Sequence, residues 1–204
     1  MAFNVDNAIT AGLLQAESKW EEMALFCSDW IDQEPTNFLA WQALGDAQQA
    51  LQKFTEAIAN YKRGLPYAPM RVPAGIERSL SAASLWHKLG HAYANVSMLP
   101  EAIYAFQQAV LVDEKWSELW NDLGVTHLRR SLPPDMKHAF DAFRMAATCD
   151  PANMQALKNL GVLYAMSGRN DGVATMRNMI SKIDPMEAVA FDKLARDAKF
   201  SQGK

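Results

Sequence analysis

His87 and His91 stand four residues apart, a spacing that puts both imidazoles on one face of a helix and suits a metal site. A zinc-peptidase helix needs Glu directly after its first His. This chain has Lys88 there, which removes that hydrolytic class. A third ligand would have to come from Glu118 or Asp122 on a neighbouring helix. Only two ligands are convincingly spaced, so neither a metal nor a cofactor is expected. A metal-dependent enzyme built on His87 and His91 is the weakest of the readings. Cys149 with one of the four His would make a nucleophile–base pair. Like Cys27, however, it falls on a helix whose side chains pack against neighbours, and a buried reduced thiol is expected for both. Two widely separated cysteines without Cys-x-x-Cys fit a reducing, cytoplasmic setting. There is no Gly-rich phosphate loop and no Gly-x-Ser-x-Gly elbow. The chain is not expected to be an enzyme.

The elements that must position these residues are written as a repeated phrase. It reads Trp41-x-x-Leu44-Gly45, Trp86-x-x-Leu89-Gly90, Trp120-x-x-Leu123-Gly124 and Leu157-x-x-Leu160-Gly161, at intervals of 45, 34 and 37 residues. A second half follows in Ala57-x-x-x-Tyr61, Ala102-x-x-x-Phe106 and Ala139-x-x-x-Phe143. Pro69, Pro151 and Pro185 stand where a second helix would stop. A period of this size marks stacked helical hairpins. Trp and Leu face inward, Gly lets the second helix approach, Ala receives that approach, and the aromatic fills space between neighbouring repeats.

Taken together, these positions resemble the tetratricopeptide-repeat family. The resemblance implies an all-α fold: a right-handed α-solenoid of about five stacked helix-turn-helix repeats in a single domain, 1–204. Repeats are expected at about 38–71, 83–116, 117–153 and 154–187, with a capping helix over 186–200 that keeps one wet face. A degenerate repeat at 4–37 lacks the Trp-Leu-Gly phrase but has Leu13, Leu14, Trp20, Phe26 and Trp30 at helical spacings. The fourth phrase departs most, with Leu157 for Trp, Val173 for Ala and Arg177 for the aromatic. Two insertions break the period. The first is residues 72–82, of which 74–82 are predicted to extend the helix that holds Trp86, with Ile76, Leu80 and Ala83 on one face; a plain loop is the alternative. Leu132-Pro133-Pro134-Asp135 predicts a turn that starts the next helix.

The chain has 204 residues and a formal charge of -3. No apolar run is long enough to span a bilayer, and no basic cluster precedes an apolar stretch at the start, so neither a membrane span nor a secretory signal is expected. No clustered Lys/Arg stripe suggests a nucleic-acid partner. Charge is uneven, however. Residues 1–37 hold seven acids and one base, whereas residues 154–204 hold eight bases and five acids. Opposite ends of this kind leave a homo-oligomer, a self-assembling structural solenoid, as the alternative function.

The resemblance also implies that first helices line a concave groove. By register, the exposed groove residues are His87, Lys88, His91 and Asn95, then Asn121, Asp122 and Arg129, then Lys158 and Asn159. Gln42, Asp46 and Gln49 take the matching places further back, with Glu118 and Gln155 in the later repeats. Amides both donate and accept, so such a stripe can pair with the backbone of an extended peptide. The expected function is a non-enzymatic protein–protein scaffold, adaptor or assembly chaperone that holds a segment of another protein. A clamp for the C-terminal carboxylate of heat-shock chaperones is disfavoured. Its best window keeps Asn159 and has Lys193 in place of the last Arg, but Asn121, Val125 and Val189 fill the other places.

Overall fold

The computed structural model describes residues 5–71, 77–132 and 135–200. Among them there are eleven α-helices and no strand. They run as hairpins: α1 (Val5–Ala16) with α2 (Trp20–Gln33), α3 (Phe38–Ala50) with α4 (Phe54–Gly64), and α5 (Ala82–Asn95) with α6 (Leu99–Val112). Then come α7 (Ser117–Arg130) with α8 (Asp135–Cys149), α9 (Met154–Met166) with α10 (Asn170–Ile183), and α11 (Pro185–Phe200). No described helix is long and apolar enough to cross a membrane.

A left-handed residue follows the first helix of every hairpin. Ser18, Gln52, Ser97, Ser131 and Gly168 each take a left-handed backbone, with φ between 56° and 70°. In four of the five, the next N–H reaches back to close the first helix: Lys19 to Leu14 (2.9 Å), Lys53 to Gln48 (2.8 Å), Met98 to Tyr93 (3.0 Å) and Arg169 to Tyr164 (2.9 Å). This is the glycine-type helix stop, although only one position is Gly. The turns recur at intervals of 34, 45, 34 and 37 residues, so α1–α2 shares the register of the others despite lacking the Trp phrase.

The chain divides into two compact units, one up to Asp113 and one from Glu114 on. The first contains α1–α6. One core cluster gathers Met23, Cys27, Trp30, Ala40 and Leu44 from α2 and α3, and another gathers Tyr61, Leu85, Leu89 and Ala105 from α4 to α6. The second unit packs Phe143, Leu157, Leu160, Ile180 and Phe191 from α8 to α11.

The phrase residues act within a hairpin. A Cβ on Gly90 would lie 2.6 Å from a ring carbon of Phe106, so the ring seats on the bare backbone of its own repeat's first helix. This corrects the expectation that the aromatic mainly fills space between repeats. At Gly161 the aromatic place holds Arg177, which is exposed and ion-paired with Asp192 (2.8 Å). Phe191 of α11 covers Gly161 instead, 2.7 Å from where a Cβ would stand. Trp41 and Trp120 are half-buried, and their indole N–H groups staple the preceding turn: Trp41 donates to the Pro35 carbonyl (2.9 Å) and Trp120 to that of Glu114 (2.8 Å).

Two expectations need correction. Helix α5 begins at Ala82, not near residue 74. Arg78–Leu80 form a separate 3₁₀ turn, and Ser81 is extended (φ -127°, ψ 161°), which breaks helical continuity. The Ser81 hydroxyl donates to the Arg78 carbonyl (2.6 Å), and the Ala82 N–H donates to the Pro69 carbonyl (2.9 Å). A Ser that bonds backbone locally favours a helix start over a helix interior. Ile76 lies outside the described residues, as do Pro133 and Pro134. The second correction concerns α11. Its inner side packs Ala188, Phe191 and Ala195, but its outer side exposes Met186 and Val189 in place of a fully polar face.

Candidate functional site

In the first unit, Gln42, Asp46 and Gln49 are spaced to share one face of α3. Asp46 is well satisfied: the Tyr61 hydroxyl donates to it at 2.8 Å and Lys88 Nζ of α5 at 2.9 Å. Burial, and then the Asp46 carboxylate, push the Tyr61 phenol far above its ordinary pKa, so it remains a donor. Its neighbours on the stripe differ. The side-chain carbonyl oxygens of Gln42 and Gln49 are buried and have no donor among the described residues. Buried acceptors in this state are uncommon, and each costs about 1–3 kcal/mol.

His87 and His91 are half-buried on α5. Their Nε2 atoms are 3.0 Å apart, one donating to the other, and both rings lie against Phe106, at 5.8 and 5.2 Å. Asn95 is exposed near the end of the same helix. Glu118 and Asp122 belong to the second unit.

In the second unit, the Asn159 amide donates to Asn121 Oδ1 (2.9 Å) and accepts from Gln155 (3.0 Å). Asn121 itself donates to Asp122 Oδ1 (3.3 Å). Lys158 is ion-paired with Glu187 of α11. These contacts form a ladder of side chains across α7, α9 and α11. Arg129 is exposed at the end of α7. Asn121 is not the open amide expected. It is 7 % exposed, because α7 and α9 pack closely enough for the two amides to bond each other.

Sequence reasoning missed the most fully bonded polar group. Asp135, 1 % exposed, accepts from Arg130 Nε (3.0 Å) and Nη2 (2.5 Å), from the Leu132 N–H (2.8 Å) and from His127 Nδ1 (2.9 Å). The Arg130 hydrogen bond leads in holding its carboxyl well below the usual range. Burial lowers the pKa of His127, and the hydrogen bond to Asp135 opposes that. The donor atoms of His127, Asp135 and His138 lie within 4.8 Å of one another. A cation there would face the Arg130 guanidinium and oxygens already used, so the cluster is a structural lock that ties the end of α7 to the first residue of α8. The signal in the sequence is an Asp after two prolines with Arg five residues before it, a pattern that by itself points only to a helix start.

Cys27 is fully buried; burial, and then Asp46, push its thiol up to about 12. Cys149 is only half-buried, with Sγ 3.3 Å from the Glu114 carbonyl, so the expected core thiol holds for Cys27 alone.

The hairpins, their turns and their Gly–aromatic seats define a tetratricopeptide-repeat fold. No protein-family model and no curated protein matches the sequence significantly. Solved structures of this fold do match. YrrB, described as a tetratricopeptide-repeat protein with an unusual peptide-binding site, is 20 % identical with a TM-score of 0.65, over 92 % of this chain and 90 % of that one. PilF of Pseudomonas aeruginosa is 13 % identical with a TM-score of 0.74, over 97 % and 87 %. MamA of Desulfovibrio magneticus RS-1 is 13 % identical with a TM-score of 0.69, over 89 % and 97 %.

Proposed function

We propose that this protein is a non-enzymatic scaffold that holds an extended segment of another protein against its first helices. The observation that carries the reading is the pair of buried, donor-less carbonyl oxygens on Gln42 and Gln49. They flank Asp46, which is itself anchored by Lys88 and Tyr61. Once the two side chains turn about their outer torsions to bring these oxygens to the surface, peptide N–H groups laid along α3 would supply the missing donors and recover the cost of leaving them unmet. The amide ladder of Asn121, Asn159 and Gln155 supports the same reading in the second unit, since amides can exchange one partner for a peptide group. YrrB's described peptide-binding site makes a peptide the natural ligand class. A cytoplasmic setting suits the buried Cys27 thiol.

Affinity capture followed by mass spectrometry identifies the partner, and titration of its bound segment tests the surface. Asn159→Ala should weaken binding, by about tenfold for one lost amide contact. Lys62→Ala with Gln108→Ala, on second helices α4 and α6, should leave binding unchanged. The reverse pattern would move the site off the first helices.

A further inference from the structure

The two charged ends of the sequence each carry an apolar stripe that the described chain leaves open. On α1, Ile9 and Leu13 are one turn apart and 55 % and 59 % exposed; Leu25 on α2 is 72 % exposed. On α11, Met186, Val189 and Leu194 recur at helical spacing and are 78 %, 63 % and 45 % exposed. Isolated exposed apolar residues need no explanation, but stripes on both terminal helices do.

Charge around the stripes is complementary. The first stripe lies in the segment with seven acids and one base, and that base, Lys19, is spent on Glu17 at 2.8 Å. On α11, two acids are taken internally: Glu187 pairs with Lys158, and Asp192 pairs with Arg177. Lys193, Arg196 and Lys199 remain beside the α11 stripe against one further acid, Asp197, so the bases there still outnumber the acids. Two acidic faces would repel each other, and so would two basic ones. A symmetric contact of like faces is therefore disfavoured, and a heterologous contact is favoured.

We propose that the protein associates head to tail with a second copy of itself, the α11 stripe of one chain seating on the α1–α2 stripe of the next. Apolar burial supplies the adhesion, and the opposed charges set the direction. This inference does not depend on the peptide-binding reading.

Sedimentation velocity tests it on the full chain. The wild type should form concentration-dependent oligomers that weaken as salt is raised. Ile9→Gln with Leu13→Gln blocks one face, and Met186→Gln with Val189→Gln blocks the other. All four positions are exposed, so circular dichroism should be unchanged. Each blocked chain alone should be monomeric. A one-to-one mixture should form a dimer and stop there, because each chain still offers one intact face. The proposal is overturned if the wild type stays monomeric, which would leave the stripes to a different partner. It is also overturned if either blocked chain still self-associates, or if the mixture stays monomeric.

Discussion

Two polar arrangements, one in each unit, sit at opposite limits of satisfaction. Asp135 is buried and takes four hydrogen bonds from Arg130, His127 and the Leu132 N–H. Gln42 and Gln49 are part of a polar stripe, yet each keeps a buried oxygen with no described donor. A saturated buried carboxylate can do little except hold its surroundings, and here it ties the end of α7 to the start of α8. An unsaturated pair of acceptors costs stability in the free protein and gains from a ligand that donates. On the proposed reading, the contrast separates a residue kept for folding from residues kept for binding, although all are polar groups removed from water.

The strongest way to break this comparison is at the saturated end. Asp135→Ala leaves Arg130 and His127 without their acceptor, and we expect a loss of about 3–5 kcal/mol in urea unfolding. Partner binding by the first unit should persist at temperatures where the variant is folded. Loss of binding with little loss of stability would reverse the assignment.

Next in size is the apolar frame that both arrangements share. Gly90→Leu drives a side chain into the Phe106 ring and should cost about 1–3 kcal/mol, measured in the same way. Gly12→Leu is the control, since a Cβ there meets nothing within 4 Å.

The lock should also be sensitive to acid. The folded-state pKa of His127 is lowered, so the unfolded chain binds its proton more tightly. Its contribution is full above the unfolded value of about 6.5 and is lost as pH falls through that value toward the lower folded one. Asp135 adds a second loss below about pH 4, because its folded pKa is depressed too. Melting temperature recorded from pH 8 to pH 3 should fall in these two stages, and His127→Gln should remove the first.

The smallest effect concerns the recurrent turn. Ser97 holds a left-handed backbone that Gly adopts without strain, so Ser97→Gly should stabilise by up to about 1 kcal/mol.

The repeat register was legible in sequence because Trp, Leu and Gly recur at positions where packing allows few other residues. The same phrase could not reveal that Phe191 would cover Gly161. That substitution comes from a helix beyond the repeat, and it depends on Arg177 turning outward to Asp192. The break at Ser81 was illegible because a helical face pattern cannot show that the Pro69 carbonyl waits to bond Ala82. For the site, register picked out Gln42, Asp46 and Gln49 as one stripe, but residue type alone does not tell a paired amide from an unpaired one. Asn121 was thus expected to be open and proved buried and paired, whereas Gln42 and Gln49 hold acceptors that are buried and unpaired.

The central claim is tested most directly by Gln42→Leu combined with Gln49→Leu, followed by thermal unfolding and titration with the captured partner segment. Removing two unmet buried acceptors should raise stability, by about 1–3 kcal/mol for each group. Affinity should fall at least tenfold, because the peptide donors then lose their acceptors. A double variant that is less stable than the wild type and binds the partner equally well would contradict the account.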